Sequence, residues 1–145
     1  MRNRTLVALA IAATVVLTAC SSSSSSGSPS GAGLTGKTWQ LTALTHRVAN
    51  GLGVVPEADQ ANYTIEFKSD GNYQAKADCN QTSGTYTTTS DGGLTIEPGP
   101  TTLVACPGGS VSDEYIESLT TASSYAIVDG QLKITVKDGW TLDFK

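Results

Sequence analysis

Short runs in which apolar and polar residues alternate, each closed by a turn rich in Asp and Gly, constrain this chain's fold more than any other feature. Tyr63, Ile65 and Phe67 alternate with Thr64 and Glu66 ahead of Ser69-Asp70-Gly71, and later runs are punctuated by Ser90-Asp91-Gly92-Gly93, Asp129-Gly130 and Lys137-Asp138-Gly139. A period of two places one set of side chains on a single strand face, and Asp-Gly supplies the backbone conformations of a tight turn. The pattern predicts strands over 37–44, 63–67, 72–77, 82–89, 94–97, 125–128, 132–136 and 140–144. Trp39, Leu41, Tyr63, Ile65, Phe67, Trp140, Leu142 and Phe144 face inward, and both tryptophans are read as core. Stretch 45–61 has no clear period and contains Asn50-Gly51, Gly53 and Pro56. It reads as a long connection across the top of a sheet.

One helix is expected. Ser110 or Ser112 can cap it, Asp113, Glu114 and Glu117 suit its positive end, and Val111, Tyr115, Leu119 and Ala122 recur at helical spacing. Those acids are read as a dipole-matched solvated face and not as a catalytic or calcium site. The predicted fold is α+β and mainly antiparallel β: a closed or nearly closed, barrel-like sheet plugged by one helix, which protects its edges.

The N-terminus carries an address. Arg2 and Arg4 precede an apolar run over 6–17, too short for a permanent span and ordered like a secretory signal. It ends in Leu17-Thr18-Ala19-Cys20, which resembles the lipobox of bacterial lipoproteins, in which the cysteine becomes the lipidated first residue of the mature chain. Residues 1–19 are thus expected to be a signal peptide and Cys20 the lipid anchor to a membrane at the cell envelope, facing the periplasm or the exterior. Two or three acyl chains, at about 0.8 kcal/mol per buried methylene, make such an anchor effectively permanent. The tract 21–33 holds Ser, Gly, Ala and one Pro without charge. With Cys20 it reads as a tether, 20–33, of roughly 20 Å typical end-to-end distance. Residues 34–145 then form one domain.

Loss of the signal removes two arginines and no acid, leaving seven basic against thirteen acidic residues. That balance argues against nucleic acid and against electrostatic attraction to anionic lipid. After lipidation of Cys20, only Cys79 and Cys106 remain to pair. In an oxidising compartment a structural disulfide is the simplest account, worth roughly 3 kcal/mol in the chain-entropy model, with free thiols or a redox pair as the alternatives. There is no Cys-x-x-Cys, no Gly-x-Ser-x-Gly, and a single histidine, His46, without a nearby acid or nucleophile signature. No catalytic residue, metal ligand or cofactor is assigned. Asn80 is read as a turn residue bonding backbone after Cys79.

Leu34-Thr35-Gly36-Lys37-Thr38-Trp39-Gln40-Leu41, Phe67-Lys68-Ser69-Asp70-Gly71, Cys79-Asn80 with Gly84 and Tyr86, Leu94-Thr95-Ile96, Thr101-Thr102-Leu103-Val104-Ala105-Cys106, Gly130-Gln131-Leu132 and Leu142-Asp143-Phe144 occur in that order. Together they resemble the META domain of HslJ-like bacterial lipoproteins. The Cys-Asn and Ala-Cys pair is the specific part; Ala75-Lys76-Ala77-Asp78 lacks the glycine common before Cys-Asn, and Val104 stands where methionine is common. The resemblance implies a compact barrel-like α+β fold at the envelope, no established reaction, and a context of envelope stress, antibiotic tolerance and secretion.

Three functions follow as expectations. The first is a non-enzymatic, monomeric lipoprotein acting as an interaction or chaperone-like module on an envelope protein partner. The second is binding of a small apolar ligand inside the barrel, which large inward side chains disfavour. The third is a hydrolase or protease inhibitor using the 45–61 connection.

Overall fold

The computed structural model describes residues 33–45 and 53–145. Alternation becomes a sheet as expected. The strands are β1 (Thr38–Thr45), β2 (Gly53–Val54), β3 (Tyr63–Phe67), β4 (Asn72–Ala77), β5 (Asn80–Thr88), β6 (Leu94–Thr101), β7 (Ala122–Val128), β8 (Gln131–Val136) and β9 (Thr141–Phe144), with helix α1 (Ser112–Thr120) between β6 and β7. Their order in the sheet is β6-β5-β4-β3-β1-β9-β8-β7, with β2 added to β1, and every strand pair is antiparallel. The sheet curls into a half-barrel whose two ends meet at one corner, where Gly93 bridges Ser124 and the Tyr125 amide donates to the Gly92 carbonyl at 2.9 Å.

Inward faces build one core. Trp39, Leu41, Ile65, Phe67, Tyr73, Leu94, Leu132, Ile134, Leu142 and Phe144 are all essentially inaccessible, and α1 lays Tyr115 and Leu119 onto them. Tyr115 meets Tyr63 edge-on at 6.0 Å between ring centroids and Phe144 at 6.3 Å. The Trp39 indole N–H donates to the Leu34 carbonyl at 2.8 Å, so the chain entering β1 is fixed by the side chain it brings.

Four expectations need adjustment. Register shifts between Leu41 and Ala43 in β1, so the buried set changes phase and Leu44 is buried while Ala43 is not. Strand β6 runs on past Glu97 through Pro98 and Pro100 to Thr101, because it is an edge strand and a missing N–H there costs no ladder bond. The N-cap residue of helix α1 is Val111, which has no capping side chain; the Ser110 hydroxyl accepts from the Ser112 amide at 3.3 Å, the Tyr63 hydroxyl of β3 accepts from the Val111 amide at 3.1 Å and pairs with the Ser110 hydroxyl at 3.1 Å, and Ala122 belongs to β7. Trp39 is buried, whereas Trp140 precedes β9 and packs, partly buried, against the rim of the core.

Candidate functional site

The turn between β4 and β5 needs a residue in the left-handed region, which Asp78 supplies at φ 57°. It leaves Cys79 at the sheet margin and turns Asn80 inward, where it is 1% exposed. Cys79 is disulfide-bonded to Cys106, the two Cα atoms 5.5 Å apart and 27 residues apart in sequence.

Asn80 does more than close its own turn. Its Oδ1 accepts from the Val104 amide at 2.7 Å and from the Thr102 hydroxyl at 3.2 Å. Its Nδ2 donates to the Val104 carbonyl at 3.0 Å and to the Ser112 hydroxyl at 3.1 Å, with the Cys106 sulfur at 3.4 Å. One side-chain amide therefore satisfies both main-chain groups of Val104 and ties that residue to the first turn of α1. Just upstream, the Thr102 amide donates to the Gln81 carbonyl at 2.9 Å while the Gln81 amide donates to the Thr102 hydroxyl at 2.9 Å, prolonging the β5–β6 ladder beyond its last paired residues.

Between these anchors stands Leu103. It is 87% exposed, Val104 is 60% exposed, and residues 102–105 are exposed in succession. Among the described residues no hydrogen bond reaches the Leu103 amide or carbonyl. Thr102 and Val104 turn their main-chain groups toward β5 and Asn80, and in an extended chain the residue between them presents its own to the opposite side. The result is an exposed segment beyond the end of β6, hydrogen-bonded on both flanks, that offers solvent an aliphatic side chain and the unpaired main-chain groups of Leu103.

Two other large apolar side chains of the described surface are exposed to a similar degree as Val104, Val54 at 68% and Val128 at 64%. The half-barrel interior is filled by Trp39, Tyr73, Tyr115, Phe67 and Phe144. The hollows of about 260–360 Å³ are open surface depressions; polar turn and strand residues line two of them, such as Asp59, Asn62, Asp78 and Ser110 in one and Gln74, Gln81, Ser83 and Thr101 in another, while a third, of about 340 Å³ beside Ala126, Val128, Leu132 and Phe144, has a more apolar lining. Among the described residues no three His, Cys, Asp or Glu side chains converge. Asp70 and Asp91 are held below the ordinary carboxylate range by hydrogen bonds within their turns, from Asn72 and Thr89 respectively, which marks them as turn residues. Burial, and then the neighbouring Tyr73, push the Tyr115 hydroxyl well above the ordinary tyrosine value; that oxygen and the Ser118 hydroxyl on the same helix have no partner.

Cys79 and Cys106 are brought together as expected, beside Asn80. Cys20 and His46 lie outside the described residues. Of the 45–61 connection, the described part is anchored at two buried residues: Val55 donates to the Thr42 carbonyl at 3.0 Å, and the Gln60 amide nitrogen donates to the Val55 carbonyl at 3.1 Å, while residues 56–59 between them are exposed. Segment 102–105 is a second exposed stretch, and the one that carries Leu103. Its signal in the sequence is faint: Leu103-Val104 is an apolar pair that belongs to neither a period-two run nor a helical one.

Comparison with known proteins agrees with this architecture. An NMR structure of a protein from Burkholderia xenovorans is similar at 29% identity and TM-score 0.56, over 77% of this chain and 82% of that one. The crystal structure of a DUF4847 family protein from Bacteroides vulgatus shares the fold at 18% identity and TM-score 0.56, over 79% of this chain and 94% of that one. No curated protein matches. The META domain family model matches residues 32–145, the disulfide, Asn80 and segment 102–106 included, and the chain belongs to the META domain family.

Proposed function

We propose that the protein is a non-enzymatic, lipid-anchored envelope protein whose META domain is an interaction module, and that segment 102–106 is the surface it offers. Display of Leu103 and Val104 on a backbone fixed at both flanks carries this reading. Exposed aliphatic side chains cost solubility, and holding them rigid costs conformational freedom, so the combination favours a surface kept for a partner. The Leu17-Thr18-Ala19-Cys20 motif and the tract that follows it support attachment to a membrane through Cys20, with reach enough for a partner protein beside it. Binding of a small apolar ligand inside the barrel is disfavoured, because Tyr115 and its neighbours occupy that volume.

The test is covalent crosslinking in intact cells followed by capture of the lipidated protein, compared with Leu103→Asp and Cys20→Ala. The reading expects a specific envelope protein enriched with the parent chain and lost with Leu103→Asp. Equal capture by the parent and Leu103→Asp chains would overturn it.

A further inference from the structure

Resting on the reading above, we infer that the partner is a serine endopeptidase selective for an aliphatic residue, and that segment 102–106 occupies its cleft as a substrate-like inhibitor cut between Leu103 and Val104. Four observations converge on this class of partner. First, Leu103 and Val104 are the segment's only large exposed apolar side chains. A partner that recognises so little side chain must read main chain as well. Second, the Leu103 amide and carbonyl are unpaired where the chain leaves β6, so both are available to an endopeptidase cleft that takes up main chain as an added strand. Third, the aliphatic side chain beside that peptide is the most exposed of the large hydrophobic residues and points away from the core, as a specificity pocket requires.

The fourth observation separates an inhibitor from a substrate. Thr102 is held to Gln81 by two hydrogen bonds of 2.9 Å, and Val104 is held by Asn80 at 2.7 and 3.0 Å and by the Cys79–Cys106 disulfide two residues further on. Attack of the peptidase serine hydroxyl on the Leu103 carbonyl carbon forms an ester and breaks the bond to Val104; the serine proton passes to the departing nitrogen, which becomes an amine. In an ordinary substrate that amine diffuses away and water enters. Here it stays tethered against the ester, and its return reforms the peptide and gives the proton back to the serine. Fixing both sides before binding also removes the ordering cost that a flexible peptide incurs.

The experiment uses the mature chain carrying Cys20→Ala, titrated against subtilisin and chymotrypsin, which accept leucine, and against trypsin, which requires Lys or Arg. Stoichiometric inhibition of at least one of the first two is expected, with intact mass showing cleavage confined to the 103–104 bond. Leu103→Arg should weaken that inhibition at least ~100-fold and confer inhibition of trypsin, with an unchanged melt because residue 103 is in solvent. Asn80→Ala should turn the chain into a substrate whose cleavage runs to completion; Leu103→Arg keeps the test independent of how well that variant folds. Absence of inhibition by the parent chain, or inhibition that is indifferent to residue 103, would overturn the inference. In that event, a crosslinked partner that still depends on Leu103 would leave the interaction module standing without its peptidase.

Discussion

At the scale of single residues, Tyr115 and Asn80 solve the same problem in opposite ways. Both carry polar atoms into the core, but Asn80 places its amide among five acceptors and donors, whereas the Tyr115 hydroxyl is buried with none. A buried hydroxyl without a partner loses its hydration and gains nothing in return. Tyr115→Phe is therefore expected to raise stability by about 1 kcal/mol in urea denaturation at pH 7. The pH dependence follows from the same burial. The folded state raises the Tyr115 pKa above the unfolded value of about 10, so the stability tied to its protonated form is fully present below pH 10 and is lost as pH rises beyond it. Denaturation midpoints should be flat with respect to this group through neutral pH and fall above 10. Tyr115→Phe should reduce that alkaline slope without abolishing it, since burial also raises Tyr73 and Tyr86. An unchanged slope would place the alkaline sensitivity elsewhere.

At the scale of elements, the β5–β6 pair and the segment that leaves it set the site. Gly84 sits where register shifts, and a Cβ there would collide with the Glu97 carbonyl oxygen and lie 2.8 Å from the Gly99 nitrogen and 3.0 Å from the Tyr73 ring. Because two of these neighbours are backbone, Gly84→Ala should cost about 2–3 kcal/mol, read as a lower urea midpoint. Replacing both Cys79 and Cys106 by Ser should cost about 3 kcal/mol, and limited proteolysis should then cut first within 102–106, because only the hydrogen bonds of Asn80 and of Gln81 with Thr102 retain the segment. The strands were legible because alternation and Asp-Gly turns are local signals. The phase change after Leu41, the run of β6 through Pro98 and Pro100, and the Tyr63 hydroxyl serving the start of α1 were not, since each depends on a neighbouring strand. The site was half legible. Cys79 and Cys106 announce a link, and Asn80 reads correctly as an amide that bonds backbone. Its target, however, is Val104, 24 residues away, and not its own turn. That Leu103 faces solvent follows from Thr102 and Val104 both turning toward β5, a fact of pairing that no window of sequence contains.

At the scale of the molecule, the expectation is a folded bead and a separate anchor. The Cys20→Ala chain should move from the detergent phase to the aqueous phase on Triton X-114 partitioning, and its disulfide-bonded domain should melt at the same temperature as the lipidated one. A shift in the melt would mean that the anchor region contributes to the core. The packing also has a temporal side. Strand β1 is flanked by β3 and β9, so one early strand is bonded along an edge to one synthesised about a hundred residues later, and Gln40 and Lys145 exchange two main-chain hydrogen bonds of 3.0 Å. Without β9, Trp39, Leu41 and Leu44 have no neighbour on that side and β8 has no route into the sheet. The consecutive pairs β3–β4–β5–β6 are complete in a chain cut short of β9, but the sheet closes around β1 only when Phe144 has been synthesised.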